Sequence, residues 1–328
     1  MPNWIGDLVM ATPVLADLRE AFPKASVTAM CRRPVCELLR EEKSIDELFC
    51  FERVANRFSR GDLRRDIIEK IRKGGFDTGI LLTNSFSSAW WFWQGKVKRR
   101  IGFAGHFRKW LLTDVVAPQR EHQVDAFKRL LEPLGIPPSN TAPRLFVSKK
   151  EIQESRELLY QRGYKRGRKL IGINPGAAYG TAKCWLPERF RELATRLVNE
   201  GLSVVFFGDA ASASLVKEIC LGLPEQVMDL AGVTSLRELA CLIQDCDVLI
   251  TNDSGPMHIA AAFEVPLVAL FGSTDDLATG PYGQAEGVIH KRVSCSPCFK
   301  RVCPIDFRCM KEITVDEVEK RTWACLGR

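Results

Sequence analysis

The segment from Asp247 to Gly272 sets a carboxylate, a hydroxyl and a glycine between two apolar runs. It reads DVLITNDSGPMHIAAAFEVPLVALFG, and Asp253, Ser254 and Gly255 directly follow the first run. A strand followed by a helix that starts near the proline would present free backbone N–H groups and the positive end of the helix dipole. Glycine lets a phosphate approach the backbone, and proline fits the first turn. The segment therefore suits an anion, although an N-cap role for Asp253 or Ser254 is the alternative.

The same helix start carries His258, within its first turn. This side chain points either at the anion site or into the core. For a lone histidine in an apolar helix, the core is the commoner position.

A second loop, NPGAAYGTAKCWLPERF, places Gly176, Thr181 and Lys183 between an apolar strand and the next helix. A lysine in a glycine-containing loop at the end of a strand is well placed to neutralise a diphosphate. Its spacing differs from that of the P-loop, which argues against a Walker-type nucleotide hydrolase. The alternative is a lysine that simply faces water.

A third stretch, NWIGDLVMATPVL, puts Gly6 and Asp7 at the entry to an apolar helix. One role for Asp7 is that of N-cap. The other is that of a general base, which needs a carboxylate near a substrate hydroxyl.

The sequence CSPCFKRVCPIDFRCM contains Cys295, Cys298, Cys303 and Cys309. Its Cys-x2-Cys start is typical of a metal site, but the following gaps are less regular than those of most structural zinc sites. Reduced thiols or a disulfide are the alternative.

The composition is that of a globular protein: of 328 residues, 46% are apolar and 27% are charged. No apolar run approaches the roughly twenty residues of a membrane-spanning helix. The N-terminus lacks the features of a signal peptide, so we expect a cytoplasmic protein whose twelve cysteines are mostly reduced.

The net charge of +7 is unevenly distributed, because cations and aromatic residues alternate between residues 90 and 110. Such a patch suits nucleic acid, a phosphorylated glycolipid or a membrane surface. A solvated basic rim beside a core aromatic cluster is the alternative. The cations are Lys96, Lys98, Arg99, Arg100, Arg108 and Lys109.

Strand and helix patterns alternate along the chain, which predicts parallel sheets covered by helices, with functional loops at the carboxyl ends of the strands. The turn-rich segment PPSNTAP divides the chain into two doubly wound domains, residues 1–146 and 147–328, the second with a cysteine-rich segment and a terminal helix. No strand precedes the PNWIGD loop, which we interpret as a truncated start that leaves the first domain without its first strand.

In their order and spacing, these motifs resemble the ADP-heptose:lipopolysaccharide heptosyltransferase family. The resemblance rests on PNWIGDLVMATPVL, LLTNSFSSAW, RRIGFAGHFRKWLLTD, INPGAAYGTAKCW, VVFFGDA and TNDSGPMHIAAAFEVPLVALFGSTD. It implies a GT-B fold, in which two Rossmann-like domains face each other across a cleft. It also implies an inverting transfer of heptose from ADP-L-glycero-D-manno-heptose, with no required metal or cofactor.

The resemblance also implies roles for individual residues. Asp7 matches the general base, and Lys183 contacts the donor phosphates. The remaining donor-binding residues are Gly6, Gly176, Thr181, Asp209, Asp253, Ser254, Gly255, Met257 and His258. The acceptor-binding residues are Asn84, Ser85, Arg99, Arg100 and Arg108.

The implied acceptor is anionic, Kdo-lipid A or heptosyl-Kdo-lipid A, which predicts a peripheral contact with the inner face of the inner membrane. The usual nucleic-acid-binding motifs are absent, so we expect no nucleic acid partner. Two alternatives stay open: a GT-B transferase that uses another nucleotide sugar, and a non-catalytic paralogue that docks a glycolipid or nucleic acid.

Overall fold

The computed structural model describes residues 1–52, 57–105 and 107–327, with the side chains of residues 57–60 excepted. The chain forms two compact units, Met1–Pro143 and Arg144–Arg328. The structure divides after Pro143, whereas the sequence predicted a boundary after residue 146.

The C-terminal unit contains a parallel sheet of six strands, ordered β11-β10-β9-β6-β7-β8. In chain order within this unit, that is the 3-2-1-4-5-6 arrangement of a doubly wound Rossmann sheet. Its direction of winding reverses between β6 and β9. The strands are β6 (Leu170–Asn174), β7 (Ser203–Phe206), β8 (Val227–Asp229), β9 (Val248–Asn252), β10 (Leu267–Phe271) and β11 (Val288–His290).

Helices cover this sheet because their apolar residues recur at helical spacing. In the helix of Pro187–Asn199, for example, Phe190, Leu193 and Leu197 are fully buried in the core of the unit. The helices are α6 (Lys149–Gln161), α7 (Pro187–Asn199), α8 (Ala213–Cys220), α9 (Leu236–Gln244), α10 (Gly255–Ala262), α11 (Asp276–Thr279), α12 (Arg308–Lys311) and α13 (Val315–Cys325).

The N-terminal unit is also built of parallel strands, but the described strands form two separate sheets, β1-β2 and β3-β4-β5. A groove of about 380 Å³ is lined by residues of both β1 and β3. The strands are β1 (Thr28–Arg32), β2 (Glu47–Phe51), β3 (Thr78–Leu81), β4 (Arg99–Phe103) and β5 (Asp114–Val116).

The apolar run after Gly6 was expected to form a single helix, and it forms two. The break falls at Ala11, directly before the turn that contains Pro13, because proline supplies no N–H to continue the ladder. The helices of this unit are α1 (Ile5–Met10), α2 (Thr12–Ala21), α3 (Arg57–Gly74), α4 (Phe86–Gln94) and α5 (Gln123–Arg129). Throughout the described part of the chain, every helix is too short or too polar to span a bilayer.

Candidate functional site

The loops after β6 and β9 lie side by side at the switch point of the C-terminal sheet. Asn174, the last residue of β6, donates to Ser254 Oγ after β9 at 3.1 Å. Asn252, the last residue of β9, donates to the Pro175 carbonyl at 2.7 Å and accepts from the Trp185 N–H at 2.9 Å. Two asparagines thus join the loops that the sequence singled out, at the place where open α/β sheets bind ligands.

Lys183 and Asp253 meet at this point. Lys183 lies in a short 3-10 turn, Thr181–Lys183, and its Nζ is 2.5 Å from Asp253 Oδ2. Thr274, after β10, donates to the same oxygen at 2.6 Å. An unpaired carboxylate would repel a diphosphate, but here a cation and a hydroxyl neutralise it. Asp253 therefore orients Lys183, whose side chain is 13% exposed.

The first turn of α10 has no side-chain cap among the described residues, although Ser254 occupies the N-cap position. Its hydroxyl lies 3.0 Å from that of Thr251 and accepts from Asn174 instead. The first N–H groups of the helix therefore have no side-chain acceptor, an arrangement that suits an anion. Met257 and His258 are 0% and 6% exposed, so both side chains are buried beside this helix start.

Gly176 lies against the loop after β7. A Cβ at this position would lie 2.5 Å from Ser212 Oγ, so a larger residue would require the Ser212 side chain to move. Asp209, in that loop, accepts from the N–H and the hydroxyl of Ser212 at 2.9 and 2.7 Å. Its exposed carboxylate stabilises the turn before α8, at the edge of the same site.

The cysteine-rich segment packs directly on the Lys183 loop. Tyr179 donates its hydroxyl to the Phe299 carbonyl at 2.6 Å, and the Ala182 N–H donates to the Arg301 carbonyl at 3.0 Å. The Tyr179 ring has Lys183 Nζ at 4.8 Å and the Arg301 guanidinium at 5.3 Å from its centroid. Arg301 thus adds a second cation beside the predicted phosphate site. The sequence analysis did not identify this arginine.

Four further contacts anchor this segment. The N–H groups of Cys298 and Phe299 both donate to the Ser273 carbonyl, at 3.1 and 2.7 Å. Ser296 donates to the Gly272 carbonyl and lies 2.8 Å from a ring nitrogen of His290. The segment therefore connects the loops after β6 and β10.

Cys295, Cys298, Cys303 and Cys309 are free thiols. In the described residues they form no group of three or more ligands that could hold a metal ion, so the metal alternative finds no support. Burial raises the pKa of the Cys309 thiol. Elsewhere, Cys36 and Cys50 form a disulfide in the N-terminal unit, an exception to the expectation that the cysteines are mostly reduced.

Asp7 lies in the first turn of α1, in the N-terminal unit together with Gly6. It is not the N-cap, because Trp4 occupies that position. The half-buried carboxylate is favourably placed at the positive end of the helix dipole.

Arg108 connects the two predicted acceptor segments but is 0% exposed. Its guanidinium donates to Asn84 Oδ1 at 3.0 Å and to the carbonyls of Thr83 and Phe103. Burial lowers the pKa of Arg108. The side chain therefore fixes the loop after β3, in which Ser85 caps α4 by accepting from the Ser88 N–H at 3.2 Å.

Arg99 and Arg100 are likewise engaged within the fold. Arg99 forms a two-bond ion pair with Asp114 at 3.1 and 2.9 Å, and Arg100 donates to the Leu111 carbonyl at 2.6 Å. A cavity of about 520 Å³ in the same unit is instead lined by Arg32 and Arg64, together with Ser85 and other residues. These two cations were missed because they lie in ordinary strand and helix patterns.

Comparisons with known proteins agree with this geometry. The model of glycosyltransferase family 9 (heptosyltransferase) matches residues 64–307. Lipopolysaccharide heptosyltransferase 2 of Escherichia coli K12 is 32% identical over 302 residues, which are 88% of this chain and 86% of the relative.

Solved structures cover still more of the chain. The E. coli ADP-heptose lps heptosyltransferase II matches with a TM-score of 0.83 and 28% identity, over 99% of this chain and 96% of that one. A family 9 glycosyl transferase from Veillonella parvula gives a TM-score of 0.87 at 24% identity, over 99% and 95%. The predicted GT-B fold class and glycosyltransferase activity are thereby confirmed, and the chain belongs to glycosyltransferase family 9, the heptosyltransferases.

Proposed function

We propose that this chain transfers heptose from ADP-L-glycero-D-manno-heptose to the inner core of lipopolysaccharide, on a Kdo-lipid A or heptosyl-Kdo-lipid A acceptor. The relatives named above support this donor and this acceptor. The observation that carries the proposal is the pairing of Lys183 with Asp253 beside an uncapped helix start, at the switch point of the C-terminal sheet.

The donor diphosphate binds at the start of α10 and against Lys183. The ammonium exchanges part of its contact with Asp253 for the phosphate oxygens, while Thr274 retains its hydrogen bond to the carboxylate. Gly255 permits close approach of the backbone, and Gly176, Thr181 and Asp209 lie in the loops that flank this site. Lysine and the helix dipole then stabilise the charge that develops on the departing ADP.

Asp7 acts as the general base. It takes the proton from the acceptor hydroxyl as the new oxygen–C1 bond forms on the face opposite the diphosphate, and the C1–oxygen bond to ADP breaks with its electron pair. The anomeric configuration inverts. One carboxylate suffices, because a diphosphate leaves without protonation, unlike the leaving group of a glycosidase.

The acceptor binds in the N-terminal unit. Arg32 and Arg64 line a cavity there with Ser85, and these cations suit carboxylates and phosphates of the acceptor. Arg108 and Asn84 position the loop that carries Ser85, and Arg99 and Arg100 stabilise β4 and its surroundings. Because the lipid moiety of the acceptor resides in a membrane, the chain works as a peripheral protein at the inner face of the inner membrane.

Calorimetric titration with ADP, UDP and GDP tests the donor site, and a transfer assay with ADP-heptose and Kdo-lipid A or its heptosylated form tests the reaction. We expect selective ADP binding and heptose transfer. Selective UDP binding would instead assign another nucleotide sugar, and binding of no nucleotide would contradict the proposal.

A further inference from the structure

The N-terminal unit exposes a cluster of aromatic rings, of which Trp90 also packs against the core. Phe86, Trp90 and Trp93 on α4 lie beside Trp110, with ring centroids 5.0 to 6.3 Å apart from neighbour to neighbour. Phe86 is 40%, Trp93 43% and Trp110 63% exposed. A contiguous exposed apolar patch of this kind marks an interaction site.

Phe107, three residues before Trp110 in the sequence, is exposed at a conformational cost. Its side chain is 93% exposed, and its backbone has a φ of 53°, in the left-handed region that bulky residues avoid. Packing within the fold does not compensate for this backbone strain, because the phenyl ring is exposed to water. Contact with a partner that buries the ring would compensate for it.

The charge around the cluster has one sign. Between Asp77 and Asp114 the sequence contains six lysines and arginines and no acidic residue. Arg99, Arg100 and Arg108 are bonded within the fold, but Lys96, Lys98 and Lys109 are exposed and pair with no carboxylate in the described residues. These three ammonium groups remain for an anionic partner.

We propose that Phe86, Trp90, Trp93, Phe107 and Trp110, with Lys96, Lys98 and Lys109, form a docking surface for an anionic lipid bilayer. Tryptophan favours the membrane–water interface because its ring is apolar and its N–H is polar, and lysines add attraction to anionic headgroups. The inference rests on the proposed function for the identity of the membrane, and it names the surface by which the chain reaches an acceptor embedded there.

Co-sedimentation of the full chain with lipid vesicles tests this surface. We expect binding to vesicles of phosphatidylcholine with phosphatidylglycerol, weakened by salt and by omission of the anionic lipid. The double variant Phe107→Ala/Trp110→Ala and the triple variant Lys96→Gln/Lys98→Gln/Lys109→Gln should each lower the partition coefficient about tenfold or more. Leu221→Ala is the matched control, because Leu221 is 72% exposed in the other unit, and it should bind as the unmodified chain does.

ADP titration of the same variants separates this inference from the proposed function. Vesicle binding that fails while ADP still binds would overturn the docking surface alone, as would vesicle binding that the two variants leave unchanged. ADP binding that fails while vesicles still bind would contradict the proposed function alone. Binding of a single-stranded RNA, lost in the same variants while vesicles do not bind, would assign the surface to nucleic acid and overturn the membrane inference.

Discussion

At the scale of single residues, the donor site depends on the ion pair between the Asp253 carboxylate and the Lys183 ammonium. Asp253 is 5% exposed, so its charge is balanced by Lys183, and Thr274 donates the hydrogen bond that water would otherwise supply. Removal of the lysine leaves a buried carboxylate facing the incoming diphosphate, which combines a lost attraction with a new repulsion.

We therefore expect Lys183→Ala to weaken ADP binding about 10- to 100-fold, the range of a charge-assisted hydrogen bond worth roughly 1.5–3 kcal/mol. Calorimetric titration measures the change. Lys165→Ala is the control, because this lysine is exposed in a loop away from the site. An unchanged affinity in Lys183→Ala, or an equal loss in both variants, would remove Lys183 from the phosphate site.

Substitution of Asp7 should slow the chemical step without changing donor binding. Asp7→Asn keeps the size of the side chain but removes its basicity, so we expect heptose transfer to fall by about 10²- to 10⁴-fold. ADP affinity should stay within about twofold of that of the unmodified chain, since the phosphate contacts lie in the other unit. The exposed Glu20→Gln on α2 should leave transfer unchanged. A large loss of ADP affinity in Asp7→Asn would argue for a donor-binding role instead.

At the scale of elements, the cysteine-rich segment supports the Lys183 loop through close backbone contacts. Gly180 has a φ of 155°, and a Cβ there would lie 2.3 Å from the Arg301 carbonyl oxygen. A larger residue must push the two segments apart, and it would displace the turn that carries Lys183.

Gly180→Ala should accordingly weaken ADP binding about tenfold and destabilise the fold by about 1–3 kcal/mol. Gly163→Ala is a matched control, because Gly163 also has a positive φ, of 92°, but a Cβ would meet nothing within 4 Å. The control should lose stability through backbone strain and retain ADP affinity. Urea unfolding measures the stability of both variants, and ADP titration measures their affinity for ADP. Equal ADP affinities would show that the segment does not support the site.

The sequence predicted the strands and helices that carry the donor loops because each has its own periodicity. It also located the start of α10, where Gly255 and a proline follow an apolar strand. The packing of the cysteine-rich segment on Tyr179 could not be predicted, because the tyrosine hydroxyl donates to a residue 120 positions away through a backbone carbonyl that any residue possesses. The burial of Arg108 could not be predicted either, because the spacing of residues in the sequence does not show which backbone carbonyls will surround a guanidinium.

At the scale of the whole molecule, the charge of Glu151 connects stability to pH. Arg237 on α9 donates two hydrogen bonds, of 2.7 and 2.9 Å, to the Glu151 carboxylate on α6. Ser148 donates to it as well, from the N-cap of the same helix. The ion pair with Arg237 holds the pKa of Glu151 at about 2, below its ordinary value of 4.5.

Because the folded state lowers this pKa, the carboxylate stabilises the fold fully above about pH 4.5, and the contribution is lost as the pH falls towards about 2. We expect Glu151→Gln to lower the free energy of unfolding by about 1–3 kcal/mol at pH 7, since the pair is largely shielded from water. The difference from the unmodified chain should shrink steadily below pH 4.5. Glu154→Gln is the control, because its pair with Lys150 is exposed and 3.7 Å long, and it should change little. Urea unfolding at a series of pH values measures both variants, and a pH-independent loss in Glu151→Gln would mean that the carboxylate acts through packing rather than through its charge.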